Sequence, residues 1–472
     1  MLIVRPKFRK IMKLKEEIND LVKELDRVHL KDTHALAWLE PGVLPSFSTA
    51  QNGLQRYYTQ KALKSLGNIA LILHQNDIKI SSVIEIGNFE KILRQCVTEL
   101  HAENELDISN VEALEKSHSK LIASIQDALS EMQMEFTHYF PAWTLGMEFE
   151  HPFQLGPVTI MTREQWIDSV QFSDNAIKHY LSTPINNANW KVLLKDALES
   201  SVTKGEPKGL AGSIYNVIRS CPSVLKIKVT GYEKDLSRKV AEIVCKSALD
   251  AISLLFGANE YFHQQALCDE RLQPRGSDTI IETNGYLWLP GTKLGPRVRR
   301  LSNEAVQNHL AENEDLLNAF GYILNSLLIP TTSKHPNLTK RWATALNWMA
   351  EGGRESNDAV ALTKIASSLD VLSCGGKFKG ILEMLVHLTK TSESTIVVKG
   401  RAPSTLSKVV KDVYDNGRSQ ILHGTHFDRL KSFEEWKNHA SSLARIALIE
   451  CAVRLVKFKG RDGDTEFRTM PE

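Results

Sequence analysis

The last 140 or so residues alternate apolar-periodic runs with glycine and proline turns, and this pattern constrains the fold more than any other feature of the chain. Ile329-Pro330-Thr331-Thr332-Ser333-Lys334-His335-Pro336 reads as a linker or a turn into this region. Beyond it, helical periodicity marks segments near Leu338–Ala350, Asn357–Leu372, Lys377–Leu388, Ser404–Leu422 and Phe433–Val456. Turns at Glu351-Gly352-Gly353 and Cys374-Gly375-Gly376 separate the first three. Amphipathic helices joined by short turns bury their apolar stripes by packing side by side, so a bundle of four or five helices is expected over 331–460. The polar residues 461–472 read as a tail.

The fold class expected is mainly α, with a helical N-terminal region (1–137) and a mixed α/β middle region (138–330). At 472 residues the chain exceeds what one core serves, so two or three domains are expected. Ile11, Leu14, Ile18, Leu21, Leu25 and Val28 alternate spacings of three and four with Lys and Glu between. That describes an amphipathic helix docked on its neighbours or a short dimerising coiled coil. Further helices are expected around Thr49–Leu73, Asn88–Leu100 and Asn110–Glu135. Phe140-Pro141-Ala142-Trp143 reads as a turn leading into strand-like Phe153–Ile160. Val224–Val229 and Thr279–Leu289 also look extended, and Leu236–Phe256 reads as a helix.

Charge is balanced over the whole chain, at a formal +2, but not along it. From Pro330 onward, 22 Lys and Arg face 16 Asp and Glu, an excess that favours a polyanionic partner. The six cysteines are scattered without a CxxC pair, which argues against zinc and a disulfide framework and suits a reducing cytoplasm. No apolar run is long enough to span a bilayer, and the apolar start Met1-Leu2-Ile3-Val4 is too short for a signal peptide. A cytoplasmic protein without membrane partner, cofactor or metal is the expectation.

One segment carries chemistry. Tyr414-Asp415-Asn416-Gly417-Arg418-Ser419-Gln420-Ile421-Leu422-His423-Gly424 places an arginine and a histidine five residues apart near a helix end. A fixed guanidinium holds phosphate, and an imidazole titrates near neutrality, so the pair could act on a phosphodiester without a metal. With Ser404 as N-cap and 100° per residue, Leu406, Val409, Val410, Val413, Gly417 and Ile421 form a core stripe. Arg418, Ser419, Leu422 and His423 then share the opposite face, and Tyr414 lies at the edge of the stripe. Gly417 is expected to mark close packing against another helix, and Gly424 to cap the helix at His423. Leu422, exposed between Arg418 and His423, calls for a covering partner, such as the same helix of a second copy.

The run Tyr414-x-x-x-Arg418-Ser419-x-Ile421-x-His423-Gly424 in a penultimate bundle helix resembles the HEPN superfamily with its R-x(4–6)-H motif, and within it the ApeA-type proteins. Arg341-Trp342-Ala343-Thr344-Ala345-Leu346-Asn347-Trp348 looks like that family's first helix. Ala366-Ser367-Ser368-Leu369-Asp370 looks like its second, where an acidic residue is usual. The likeness covers residues 330–460. It implies a metal-independent endoribonuclease, often a toxin of antiviral or abortive-infection defence, working as a homodimer or higher oligomer with a composite site. His423 would be the general base or acid, and Arg418 would hold the scissile phosphate. Many active members carry Asn, Asp or His directly after the arginine. Here Ser419 stands in that place, with a role in orienting Arg418 or bonding the phosphate. A non-catalytic dimerisation or RNA- and nucleotide-binding module is the alternative, and the trigger is not named by the sequence.

Lys293, Arg297, Arg299 and Arg300 form a basic loop after an expected strand, which either tracks an RNA backbone or is simply solvated. Lys340 and Arg341 could add to an RNA-facing surface. Gly205–Ser213 and Gly375–Gly380 lack the Gly-Lys-Ser/Thr ending of a phosphate loop and read as turns. His423 and His426 lie three apart, but no carboxylate or cysteine completes a metal site with them.

Overall fold

In the computed structural model, residues 6–29, 42–43, 46–132, 134–181, 183–199, 206–270, 276–288, 291–294, 301–400 and 402–472 are described. They are mostly helical, with one five-stranded sheet and several two-stranded pairs. Among them no helix is long and apolar enough to cross a membrane. The chain divides into two compact units, Met1–Phe136 with Val229–Lys239, and Thr137–Lys228 with Val240–Glu472.

The first unit is built on helices α1 (Pro6–His29), α2 (Gln60–Asn76), α3 (Ile86–Ala102) and α4 (Val111–Met132). Leu14, Ile18, Leu21 and Leu25 of α1 lie in one core with Leu66, Ile69, Leu93, Val97, Leu121 and Ile125. The apolar repeat of α1 therefore docks within its own unit. The helix expected from Thr49 begins only at Gln60, where the Thr59 hydroxyl caps it by accepting the Ala62 N–H (3.2 Å). Ahead of it, β1 (Ser46–Thr49) pairs antiparallel with β2 (Gln55–Tyr58) around an Asn52-Gly53 turn. The sequence signal for this hairpin was that Asn-Gly pair flanked by aromatic residues.

A buried polar relay joins three of these elements. The Arg56 Nε donates to His101 Nδ1 (2.7 Å), which therefore carries no proton, and His101 Nε2 donates to Asp26 Oδ1 (3.1 Å). Burial, then the Arg56 charge and His29, push the His101 pKa down to about 4. An unfolded histidine takes its proton near pH 6.5, so the folded state gains from the neutral ring above that value and loses this gain as pH falls toward 4. The loss expected is about 3 kcal/mol. Melting curves of the wild type should fall more steeply between pH 6.5 and 4 than those of His101→Gln; parallel profiles would refute the assignment.

The sheet of the second unit has the strand order β4-β5-β6-β3-β7, with β3 Met134–Trp143, β4 Phe153–Leu155, β5 Val158–Thr162, β6 Ser223–Tyr232 and β7 Ala266–Leu267. β5 runs antiparallel to β6 from Val158↔Ile227 to Thr162↔Ser223, and β7 extends β3 through Ala142↔Leu267. Residues 140–143 thus lie in a strand, not in the expected turn. Pro141 is accommodated because its position needs only an acceptor: its carbonyl takes the Cys268 N–H. α5 (Lys234–Phe256) follows β6 and buries Val244, Cys245, Leu249 and Ile252 completely.

After shorter helices between Arg163 and Ile218, the later helices of this unit are α6 (Asn303–Glu312), α7 (Glu314–Leu328), α8 (Pro336–Gly353), α9 (Asp358–Leu372), α10 (Lys377–Thr389), α11 (Leu406–Lys411 and its continuation) and α12 (Glu434–Lys457). α12 buries Leu448 together with Ala440, Ala444, Ala447, Cys451 and Ala452, small residues that let neighbouring backbones close in. The Trp342 Nε1 donates to its Leu448 carbonyl (2.8 Å). α8 runs on through Gly352 and Gly353, where a turn was expected. A Cβ at Gly352 would stand 2.5 Å from Ile365 of α9, and one at Gly353 would stand 2.7 Å from the Phe262 ring. These glycines serve close approach, not chain reversal. Residues 461–472 are likewise no free tail. Phe467 and Met470 are fully buried, and Asp462 accepts the Asn337 and Leu338 N–H groups at the start of α8 (2.8 and 3.0 Å).

Candidate functional site

The segment bearing Arg418 and His423 begins at Leu406 with Thr405, not Ser404, as N-cap; its hydroxyl accepts the Lys408 N–H. A short strand pair, Ile396–Val398 with Ser404–Thr405, occupies the chain just before it. After Lys411 the helix widens: Asp412–Ser419 is π-helical, with hydrogen bonds spanning five residues instead of four. Gln420–Leu422 completes it, His423 closes it, and Gly424 follows at φ +69°. The widened turn advances each residue by less than 100°, so the expected faces shift. Leu406, Val409, Val410, Val413 and Gly417 are buried as expected, but Tyr414 joins them and Ile421 emerges half-exposed.

The same shift turns Arg418 inward, onto α9. Its Nε donates to the Ser367 hydroxyl (3.1 Å), its Nη1 donates to the Tyr414 hydroxyl (3.1 Å), and its Nη2 lies 3.3 Å from Asp370 Oδ2. The guanidinium carbon also sits 5.0 Å from the centre of the Tyr414 ring. Tyr414 donates in turn to Asp370 Oδ2 (3.3 Å), whose other oxygen accepts the Lys377 N–H (3.1 Å). Burial and the Asp370 charge raise the Tyr414 pKa, so the phenol keeps the proton it donates. A guanidinium has five N–H groups, and these contacts engage three of them.

His423 and Leu422 are exposed at the helix end, and among the described residues no side chain holds the His423 ring. The four residues expected on one outer face are therefore divided: Arg418 is clamped against α9, while Leu422 and His423 face outward. Ser419 is half-buried and bonds through its backbone carbonyl to the His423 N–H (3.0 Å). The hydroxyl that orients Arg418 belongs to Ser367, whose role the sequence reading missed. Beyond His423, Phe427 (93%) and Leu430 (96%) are almost wholly exposed, so with Leu422 (56%) they leave a sizeable apolar surface uncovered. Phe433 anchors the other end of this loop, with the His426 ring against it and Lys431 over Trp436 (4.4 Å).

Gly417 is where α11 meets α9. A Cβ there would lie 2.7 Å from Leu362 Cδ2 and 3.0 Å from the Asp412 carbonyl oxygen. Gly417→Val is expected to destabilise the protein by about 1–3 kcal/mol through overpacking, measurable by denaturant unfolding. A variant as stable as wild type would show that this contact is loose.

Of the other expected RNA contacts, Lys340 and Arg341 lie on α8. Arg341 donates to the Val371 carbonyl (3.1 Å) and pairs with Asp464 (2.7 Å), so it ties α8 to the C-terminal segment. Lys340 is exposed beside it. Lys293 lies on a strand pair, opposite Ser277. Arg297, Arg299 and Arg300 lie outside the described residues. Comparison of the chain with family models, with curated proteins and with solved structures gave no match in any of the three.

Proposed function

We propose that residues 331–460 form a HEPN-like bundle and that the protein is a metal-independent endoribonuclease, an effector toxin of antiviral, abortive-infection defence released by a phage-derived or other trigger. The observation that carries this reading is the clamped Arg418: Ser367, Tyr414 and Asp370 fix its fork on one side, with an exposed imidazole closing the same helix. A pre-oriented guanidinium stabilises the charge that develops on a phosphate without reorganising first. In the reaction the ribose 2′-hydroxyl attacks phosphorus and the 5′-oxygen leaves, giving a 2′,3′-cyclic phosphate and a 5′-hydroxyl. His423 takes the 2′ proton or supplies one to the leaving oxygen. Since one exposed imidazole serves one of these tasks at a time, a homodimer that covers Leu422, Phe427 and Leu430 would bring a second His423 to the same cleft.

The test is expression of the wild type beside Arg418→Ala and His423→Ala, with sequencing of cellular RNA ends, followed by cleavage by purified protein in chelator. New cyclic-phosphate ends that vanish in both variants support the reading. Cleavage that needs added metal, or that persists in His423→Ala, defeats it. An active, strictly monomeric protein defeats the composite site. The ion pair with Asp370 favours a second reading, in which Arg418 is only structural and the bundle is a non-catalytic dimerisation or RNA- and nucleotide-binding module. Wild-type protein that dimerises but cuts no RNA would establish that.

A further inference from the structure

Two of the six cysteines meet. Cys221 lies between the short helix Gly209–Ile218 and β6, held by its N–H to the Ile218 carbonyl (3.1 Å). Cys268 lies directly after β7, held by its N–H to the Pro141 carbonyl of β3 (2.9 Å). The Ser220 hydroxyl stands 3.8 Å from the Cys221 sulfur and 3.7 Å from that of Cys268, so one oxygen touches both thiols. Their approach is set by the sheet, because each backbone is tied down independently. The other cysteines are free as well, Cys96, Cys245 and Cys451 buried and Cys374 half-exposed.

We propose that Cys221 and Cys268 form a reversible intramolecular disulfide, with a hydroperoxide as the oxidant. Covalent pairing brings the two sulfurs, which now share the Ser220 hydroxyl, to bonding distance. The two sulfurs have different tasks. Cys268 is the accessible one, and Cys221 is 1% exposed. Burial pushes the Cys221 thiol up to about 12, which keeps it protonated and unsuited to the first attack. The Cys268 thiolate therefore attacks the peroxide, breaking the O–O bond to give a sulfenic acid and hydroxide. The Cys221 sulfur then displaces the sulfenic oxygen, its proton leaving with that oxygen as water. Hydrogen peroxide and two thiols thus yield one disulfide and two waters. The bond would fasten the start of β6 to the turn that carries Glu270, two residues beyond Cys268.

The full-length protein is treated with hydrogen peroxide, alkylated and mapped by mass spectrometry. The expected result is a 2 Da loss, protection of two alkylation sites and a linked Cys221–Cys268 peptide that dithiothreitol releases. Oxidation should also raise the Tm by roughly 5 °C, since the bridge closes a long loop. Cys268→Ser should abolish the cross-link, and Cys221→Ser, with a wild-type circular-dichroism spectrum, should leave a dimedone-reactive Cys268. Full alkylation of Cys268 after peroxide, or a link from Cys268 to any other cysteine, overturns the proposal. Cys374, free and half-exposed, is the internal control and should form no intramolecular bridge.

Discussion

His423→Ala should lower RNA cleavage by about 10²–10⁴-fold and leave the fold untouched. The two halves of that expectation rest on one fact: the ring is exposed at the end of α11 and, among the described residues, no side chain holds it. Its removal breaks no buried contact, so the change in stability should stay within roughly 0.5 kcal/mol. Arg418→Ala is a less clean experiment. It strips partners from Ser367 and Tyr414 and leaves Asp370, 14% exposed, without its cation. A loss of about 1–3 kcal/mol in stability should accompany the loss of cleavage. Asp370→Asn separates the two effects, because it keeps the side-chain shape and the Arg418 charge while loosening the clamp. Cleavage of a labelled RNA, measured beside a melting curve for each variant, decides among them. A His423→Ala protein that cuts as fast as wild type removes the imidazole from the mechanism.

The C-terminal helices were legible because helical periodicity and punctuation coincide there. Pro336 opens α8, Asn357 caps α9 and Gly375 turns the chain before α10, and each helix lies within a few residues of its expected span. The Arg418 face was misread for one local reason. An apolar stripe records which residues are buried but not whether a turn holds three to four residues or more, so the π-helical stretch at Asp412–Ser419 left no separate mark. Asp370 could be pointed to by likeness. Ser367 could not, since a serine on a helix commonly bonds only its own backbone, and this one bonds both Thr363 and Arg418. The hairpin at 46–58 was masked by apolar residues that fit either period, and only Asn52-Gly53 spoke for it. Scattered charges say least of all. Nothing in the sequence pairs Lys246 and Asp250 with Glu270, Glu351 and Arg354, yet the fold gathers all five.

That gathering makes Arg354→Met the most damaging structural substitution expected. Arg354 ends α8, and its side chain reaches two backbone carbonyls and two carboxylates. Nε donates to the Phe262 carbonyl (2.9 Å), and Nη2 donates to the Gln265 carbonyl (3.2 Å) and to Asp250, with Glu270 at 3.5 Å. Asp250 is 1% exposed, and burial drives its pKa up to about 6 against the pull of Arg354. Without the guanidinium, Asp250 and Glu270 would share only Lys246, and one carboxylate must stay charged in a poor solvent or take up a proton at neutral pH. Breaking a buried pair from one side costs about 3–5 kcal/mol, out of the 5–15 kcal/mol that holds a typical domain. Arg354→Lys keeps the charge but not the fork, and should lie between Met and wild type. The double variant Arg354→Met/Asp250→Leu removes the stranded charge together with its partner. It should therefore be more stable than Arg354→Met alone, the non-additivity that a direct pair predicts. Guanidinium unfolding of the four proteins measures this, and an Arg354→Met variant within 1 kcal/mol of wild type would mean that water reaches the cluster and solvates Asp250 in place of arginine.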